Sequence, residues 1–296
     1  MLDSMNEEQV AYLSSLICQR LHAAIENRNL IGFFVNHNND GLVRDLHLGW
    51  KQDQNGETAY YVVKDPQTHM ILLYFSLRCG SLHTPDPYQR YQADFKKAEA
   101  LYDAALGKKD ARKWALERIE GYKENGVLPQ RIIDKFRKQR DDLKAMLKAL
   151  KRDHGSDPSQ NTVQTLENFS GVEMVHFCKN ELAKNIWENS PLKNRPLGET
   201  LFWCFILPII QETSRMVGCK YVYLFAADSS KEQSLVAYYR DCLHFEIRED
   251  LCAQKPAYDV CCASMCQELK VLERYQTDFI NCFNRPRPPK DENPQE

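Results

Sequence analysis

Long apolar runs are missing from this chain of 296 residues. The longest one, from Leu201 to Ile210, has about half the length that a membrane-spanning helix needs. The first residues, from Met1 to Glu8, also lack the basic and apolar segments of a secretory signal. We therefore expect a soluble, cytoplasmic protein that makes no contact with a membrane.

Strong net charge and metal-type cysteine spacing are also missing. The formal net charge is -2, which excludes a polyelectrolyte character for the whole molecule. None of the 11 cysteines forms a Cys-x-x-Cys pair, and no histidines stand near them at zinc-ligand spacing. The sequence therefore predicts no metal site, and it favours reduced thiols that pack as small hydrophobic side chains.

Charge is unevenly spread along the chain. Residues 88–153 carry 18 basic and 11 acidic side chains, a net charge of +7, whereas the rest carries 21 and 30, a net charge of -9. Apolar residues in this basic block recur at helical spacing, which predicts an inserted helical hairpin or three-helix subdomain over residues 84–168. Its basic surface suits nucleic acid, an acidic protein, a second copy of the chain or the chain's own acidic body, and a merely solvated surface is the alternative.

The remaining sequence alternates helical and strand patterns. Amphipathic spacing predicts helices, period-two and β-branched runs predict strands, and Asp65 to His69 has the composition of a hairpin turn. The predicted helices cover residues 7–27, 42–51 and 266–283, and the predicted strands cover residues 31–35, 60–64, 70–77, 171–178 and 258–264. Residues 284–296, rich in proline and charge, are expected to be disordered.

The most informative stretch runs from Arg195 to Phe245. It begins with Arg-Pro-Leu-Gly-Glu-Thr and continues with an apolar helix, a strand from Tyr221 to Ala226 and a helix that carries Tyr238 and Tyr239. A glycine at a helix start allows close approach of a ligand, and the free amides there favour an anion. The alternative is that Gly198 only permits close packing of the helix.

This stretch resembles the GNAT superfamily of N-acetyltransferases. The Arg-x-x-Gly-x-Thr turn is similar to the acyl-CoA loop of that family, and the later tyrosine followed by His244-Phe245 is similar to its second motif. The resemblance implies an α/β fold, GNAT-like, with a mixed, mostly antiparallel sheet that is flanked by helices and splits near its fourth and fifth strands. It covers residues 1–83 and 169–283, and the helical insertion at 84–168 and the tail at 284–296 lie outside it.

The resemblance also implies an activity, the transfer of an acetyl group from acetyl-CoA to an amine of a protein, a small molecule or an aminoacyl group. Tyr239 is the candidate for protonating the thiolate, and Tyr238 is the alternative, unless both are core aromatic residues. Glu173 is the candidate base, unless it forms an ion pair, and strand alternation places His176 on the opposite face. The residues implied for acetyl-CoA binding are Arg195, Leu197, Gly198, Glu199, Thr200 and Phe177.

Two other functions remain open at this point. One is a binding or regulatory module that keeps the GNAT fold without turnover. The other is an interaction protein that docks a partner or RNA through the basic insertion. A measurement of acetyl-CoA binding separates an enzyme-like protein from a degenerate member of the fold.

Overall fold

The computed structural model describes residues 4–84, 167–227, 233–248, 250–254 and 262–285, together with scattered helical positions between 96 and 149. The chain divides into two compact units, one formed by Met1–Leu82 with Asn168–Glu296 and the other by His83–Glu167. Most of the predicted insertion lies outside the described residues, so its architecture, a helical hairpin or a three-helix subdomain, stays a prediction. No helix in the described part of the chain is long and apolar enough to cross a membrane.

The first unit is built on one mixed sheet. Its strands run in the order β1-β2-β3-β4-β5-β7, and β6 pairs with β3. The pairs β1–β2, β2–β3 and β5–β7 are antiparallel, whereas β4–β5 is parallel. This confirms the predicted mixed, mostly antiparallel sheet. The strands are β1 Ile17–Arg20, β2 Ala59–Lys64, β3 Ile71–His83, β4 Asn168–Lys179, β5 Tyr221–Ala226, β6 Cys252–Ala253 and β7 Ala263–Glu268.

Helices flank this sheet, as predicted for the α/β class. Asn39 caps helix α3, because its side-chain oxygen accepts a hydrogen bond from the Leu42 amide. This helix includes the predicted helix at residues 42–51. The helices are α1 Glu7–Ser15, α2 Asn27–Leu30, α3 Asp40–Gln54, α4 Lys184–Glu188, α5 Leu197–Leu201, α6 Leu207–Val217, α7 Ser234–Leu243 and α8 Leu269–Asn281. Short 3-10 segments cover Leu21–Ala23, Ile31–Phe33 and Glu181–Ala183.

The N-terminal prediction is wrong in two places. The expected helix over residues 7–27 ends at Ser15, and Ile17–Arg20 instead forms β1 against β2. Pairing with a neighbouring strand overrides the local helical spacing there. The expected strand at residues 31–35 is a 3-10 turn, because Ile31 and Phe34, three positions apart, both enter the core.

The boundary between the last strand and the last helix lies later in the chain than the sequence predicts. Strand β7 extends to Glu268, and α8 therefore begins at Leu269 rather than at Cys266. The ladder with β5 pairs Tyr221 with Glu268 and Tyr223 with Cys266, so these residues are fixed as strand by their partners. The predicted strand positions 258–261 lie outside the described residues.

A π-helical segment, Phe202–Ile206, joins α5 to α6. Pro208 stands two positions after this segment. Its ring would crowd the carbonyl of residue 204 in a regular helix, and its nitrogen donates no hydrogen bond. The sequence predicts a kink at this proline, and the structure relieves the conflict by widening the preceding turn. Gly218, at φ 75°, ends α6 in the left-handed conformation.

The feature that positions the site is the incomplete pairing of β4 and β5. The two strands are paired only at Gly171 with Tyr221, Val172 with Val222 and Glu173 with Tyr223. Strand β4 continues to Lys179 and β5 to Ala226 without further pairing to each other. The sheet therefore opens at the point where the sequence predicts the split.

Candidate functional site

A cavity of ≈ 520 Å³ lies at this opening, and we call it the split-sheet cleft. Helix α3 and strand β3 contribute one wall, and β5 and α7 contribute the other. Because β4 leaves β5 after Glu173, its later residues are exposed to this space. The side chains that matter for the chemistry are Asp45, Arg78, His176, Phe177, Phe225 and Tyr239.

Tyr239 of α7 lines the cleft, as its predicted role requires. Its ring packs near the Phe177 ring, with centroids 6.4 Å apart, and near the Phe245 ring, also at 6.4 Å. Burial raises the pKa of Tyr239 above its ordinary value, so the hydroxyl stays protonated at neutral pH. The alternative that Tyr239 is a core aromatic residue is therefore partly right, because it is buried and still borders the cleft.

Tyr238, the neighbouring candidate, points to a different place. A Cβ atom on Gly198 would lie 2.8 Å from the Tyr238 hydroxyl and 3.3 Å from Cζ of Phe177. The Phe177 and Tyr238 rings are stacked, with centroids 6.4 Å apart. The structure thus brings Gly198, Phe177 and Tyr238 together, and close packing of Gly198 is present whatever the turn binds.

The glycine turn opens a helix as predicted. Helix α5 begins at Leu197, and the Thr200 amide donates to the Pro196 carbonyl at 3.0 Å. Glu199 and Thr200 are buried, and the Thr200 hydroxyl has no hydrogen-bond partner among the described residues. Thr200 is fully buried and lines neither the split-sheet cleft nor the cavity at the start of α5, so its hydroxyl lies in the protein interior.

A second cavity, of ≈ 380 Å³, lies at the start of α5, and we call it the basic pocket. Its lining includes the side chains of Lys179, Lys184, Lys193 and Arg195 beside the carboxylates of Glu181 and Glu188. The Arg195 guanidinium also donates to the Arg285 carbonyl at 3.0 Å and lies 5.1 Å from the centre of the Phe283 ring. Arg195 therefore links this pocket to the segment that follows α8.

Glu173, the predicted base, lies where β4 is still paired with β5. It is 3% exposed and accepts two hydrogen bonds from Arg78, at 2.8 and 3.1 Å. The Tyr223 hydroxyl donates a third, at 3.2 Å, and burial followed by the Glu173 charge raises the pKa of Tyr223. The ion-pair alternative for Glu173 is present in the structure, and this residue does not line the cleft.

His176 lines the cleft, although it is not among the predicted catalytic residues. Its Nδ1 is 2.7 Å from the Ser76 hydroxyl, and its Nε2 is 3.5 Å from a carboxylate oxygen of Asp45. The ring stacks on Tyr60, with centroids 5.3 Å apart. Burial lowers the pKa of His176, an effect that Asp45 opposes. An imidazole that is neutral at pH 7 therefore stands at the cleft.

Simple alternation along β4 does not explain this arrangement. Val172 and Met174 pack into the core cluster that contains Phe202, whereas Cys178, at the same parity, packs with Tyr60. The side-chain alternation is therefore interrupted between Met174 and Cys178. The expectation that Glu173 and His176 face opposite sides of the strand is wrong for this reason, and Arg78 lies near both.

Three of the cysteines hold protonated thiols, and the described residues form no cluster of metal ligands. Burial raises the pKa of the thiols of Cys18, Cys178 and Cys204 to about 12, so none of these three is a thiolate near neutral pH. In the described ranges no three His, Cys, Asp or Glu side chains form a group that could hold a metal ion.

Comparison with known proteins gives distant structural similarities only. No protein-family model matches the chain, and no curated protein matches it either. A tyrosine-to-phenylalanine mutant of KacT is similar at 13% identity and TM-score 0.45, over 88% of this chain and 98% of that chain. AtaTR bound with acetyl-CoA is similar at 12% identity and TM-score 0.44, over 88% and 98%. AtaT complexed with acetyl-methionyl-tRNAfMet is similar at 11% identity and TM-score 0.42, over 88% and 98%. Similarity this distant does not establish a shared activity.

Proposed function

We propose that this chain is an acyl-CoA-dependent N-acyltransferase that moves an acetyl group from acetyl-CoA to an amine of a protein, a small molecule or an aminoacyl group. The observation that carries the proposal is the split-sheet cleft, where β4 and β5 part after Glu173 and Tyr239 forms part of the wall. A sheet that opens between two parallel strands offers unpaired backbone groups and a space in which an extended ligand can lie.

The residues near the start of α5 fit the acyl donor. The phosphates of acetyl-CoA are anionic, and the basic pocket supplies Lys179, Lys184, Lys193 and Arg195 at the helix start. Bound acetyl-CoA would supply an activated thioester, and the residues proposed to hold it are Arg195, Leu197, Gly198, Glu199, Thr200 and Phe177.

Tyr239 is the proposed proton donor to the departing sulfur. Its burial keeps the hydroxyl protonated, and its position at the cleft distinguishes it from Tyr238, whose hydroxyl lies against Gly198. Glu173, the base that the family resemblance implies, does not line the cleft. Its three hydrogen bonds favour a second role, which is to hold the Arg78 side chain at the cleft wall.

Calorimetry with acetyl-CoA and an assay of thiol release test this proposal together. We expect the wild-type protein to bind acetyl-CoA and to release thiol when a panel of primary amines is added. Tyr239→Phe keeps the ring, so it should lower turnover by about 10²- to 10⁴-fold while acetyl-CoA affinity stays the same. Tyr61→Phe is the matched control, because its ring stacks on Phe75 away from the cleft.

Acetyl-CoA binding and thiol release together distinguish an enzyme from a binding module. If acetyl-CoA does not bind, the proposed function is wrong. If it binds and no amine in the panel releases thiol, the GNAT-fold binding module becomes the better account. Nucleic-acid binding and homodimer formation through the insertion at 84–168 stay predictions.

A further inference from the structure

We propose that His176 is a catalytic residue that accepts the proton lost by the acceptor amine, and that Ser76 and Asp45 are its positioning residues. The inference rests on the proposed function of the split-sheet cleft and names the proton acceptor of that reaction. It stands on the placement of three side chains from α3, β3 and β4 at one wall of the cleft.

The two ring nitrogens of His176 have different surroundings. Nδ1 meets the hydroxyl of Ser76, a fully buried residue, at 2.7 Å. Nε2 faces Asp45, whose side chain is 45% exposed, whereas the His176 side chain is 10% exposed. If Nδ1–H donates to Ser76, the lone pair of Nε2 is directed toward the more exposed side, where the acceptor arrives.

The contact from Nε2 to Asp45 is long. At 3.5 Å it exceeds the usual length of an N–H···O hydrogen bond. The carboxylate attracts an ammonium to this end of the cleft. Once His176 has taken a proton, the same carboxylate stabilises the imidazolium.

The other groups around His176 determine its charge. Glu173 and Asp45 favour the protonated ring, Arg78 opposes it, and the rings of Tyr60 and Tyr74 cover it. Burial is the largest influence and lowers the pKa of His176 below its ordinary value of 6.5. His176 is therefore neutral near pH 7, as a proton acceptor must be.

The acceptor ammonium loses two protons in this reaction. His176 Nε2 takes one proton from the acceptor ammonium, and the freed lone pair forms the new carbon–nitrogen bond at the thioester carbonyl. Tyr239 gives its hydroxyl proton to the sulfur as the carbon–sulfur bond breaks. The second proton that leaves the nitrogen returns to Tyr239 through the open cleft, and His176 releases its proton to solvent.

NMR of the full chain labelled with ¹⁵N-histidine measures the tautomer and the pKa of His176 without any turnover. The protein has 8 histidines, and the His176 signal is identified by its loss in His176→Gln. We expect the neutral ring to carry its proton on Nδ1, and Asp45→Asn to lower the pKa of His176 further. His47→Gln, an exposed change on the same helix as Asp45, should leave the His176 signal unchanged. A neutral ring protonated on Nε2 would overturn the proposal.

The pH dependence of kcat/KM tests whether His176 accepts the proton during turnover. His176→Gln should lower kcat/KM by about 10²- to 10⁴-fold near pH 7 and leave acetyl-CoA affinity unchanged. The wild-type rate should fall as the pH drops through the His176 pKa, whereas the variant should lose that limb. The variant rate should also recover by about tenfold per pH unit as the free-amine fraction of the acceptor rises. His47→Gln should keep the wild-type profile.

The outcomes separate this proposal from the proposed function. If wild type releases thiol and His176→Gln matches its rate and pH profile, only the role of His176 is overturned. If wild type binds no acetyl-CoA or releases no thiol, the transferase assignment has failed and the role of His176 falls with it. Partial loss in Ser76→Ala and Asp45→Asn, with a shifted pH profile, would support their positioning roles.

Discussion

The paired and the parted segments of β4 hold their ionisable residues in different ways. Glu173, at the last residue pair with β5, accepts three hydrogen bonds from Arg78 and Tyr223 and is 3% exposed. His176, three positions later, has one short contact to Ser76 and a longer one to Asp45, and it borders the cleft. Because the strands part after Glu173, the later residues of β4, including His176, line the cleft.

Strand β4 therefore carries one residue that suits stability, Glu173, and one that suits chemistry, His176. A buried carboxylate needs nearly all of its hydrogen-bonding capacity filled, so Glu173 has little left for an incoming amine. A neutral imidazole is less costly to bury, and it can keep one nitrogen for a ligand. The predicted base and the base that the geometry favours are therefore only three residues apart.

Removing the arginine tests the paired segment and should have the larger effect on stability. Arg78→Met leaves the Glu173 carboxylate with the Tyr223 hydroxyl alone, and we expect a loss of about 2 kcal/mol in the free energy of unfolding. The figure is kept low because the Arg78 side chain is 41% exposed and solvent weakens the ion pair.

Urea unfolding of Arg78→Met, Glu173→Gln and the double variant measures this effect. In the double variant no unpaired charge remains, so it should be more stable than Arg78→Met. If Arg78→Met unfolds at the wild-type urea concentration, the ion pair does not stabilise the paired segment, and the contrast with His176 is lost.

Substitution of Gly198, which lies against Phe177 of the parted segment, should have a smaller effect on stability. A Cβ at Gly198 meets the Tyr238 hydroxyl at 2.8 Å, so Gly198→Ala should cost about 1 kcal/mol of stability through overpacking. Tyr238→Phe removes that hydroxyl, and the double variant should regain most of the loss. Unfolding by urea measures both.

The same variants sharpen the role of the turn. Because Gly198→Ala disturbs Tyr238 even without a ligand, a loss of acetyl-CoA affinity in that variant has two explanations. If the double variant regains stability and acetyl-CoA affinity together, the glycine serves packing. If it regains stability while affinity stays at least about tenfold weaker, the backbone at Gly198 approaches the ligand itself.

The family resemblance predicted the mixed sheet, and local patterns predicted the β2–β3 hairpin and the helix that follows the glycine turn. Local patterns were not enough for β1, whose strand conformation depends on its pairing with β2. The grouping of Asp45, Ser76 and His176 was also out of reach. These residues come from three elements far apart in the chain, and the interrupted alternation of β4 leaves no mark in the sequence.

A crystal structure of the full chain with acetyl-CoA tests the central claim most directly. We expect the thioester to lie in the split-sheet cleft, with its sulfur within about 3.5 Å of the Tyr239 hydroxyl. The Nε2 side of His176 should be open toward the carbonyl carbon. The phosphates should lie at the basic pocket beside Leu197. A thioester bound outside the cleft, or placed so that protein atoms separate it from His176, would contradict the account.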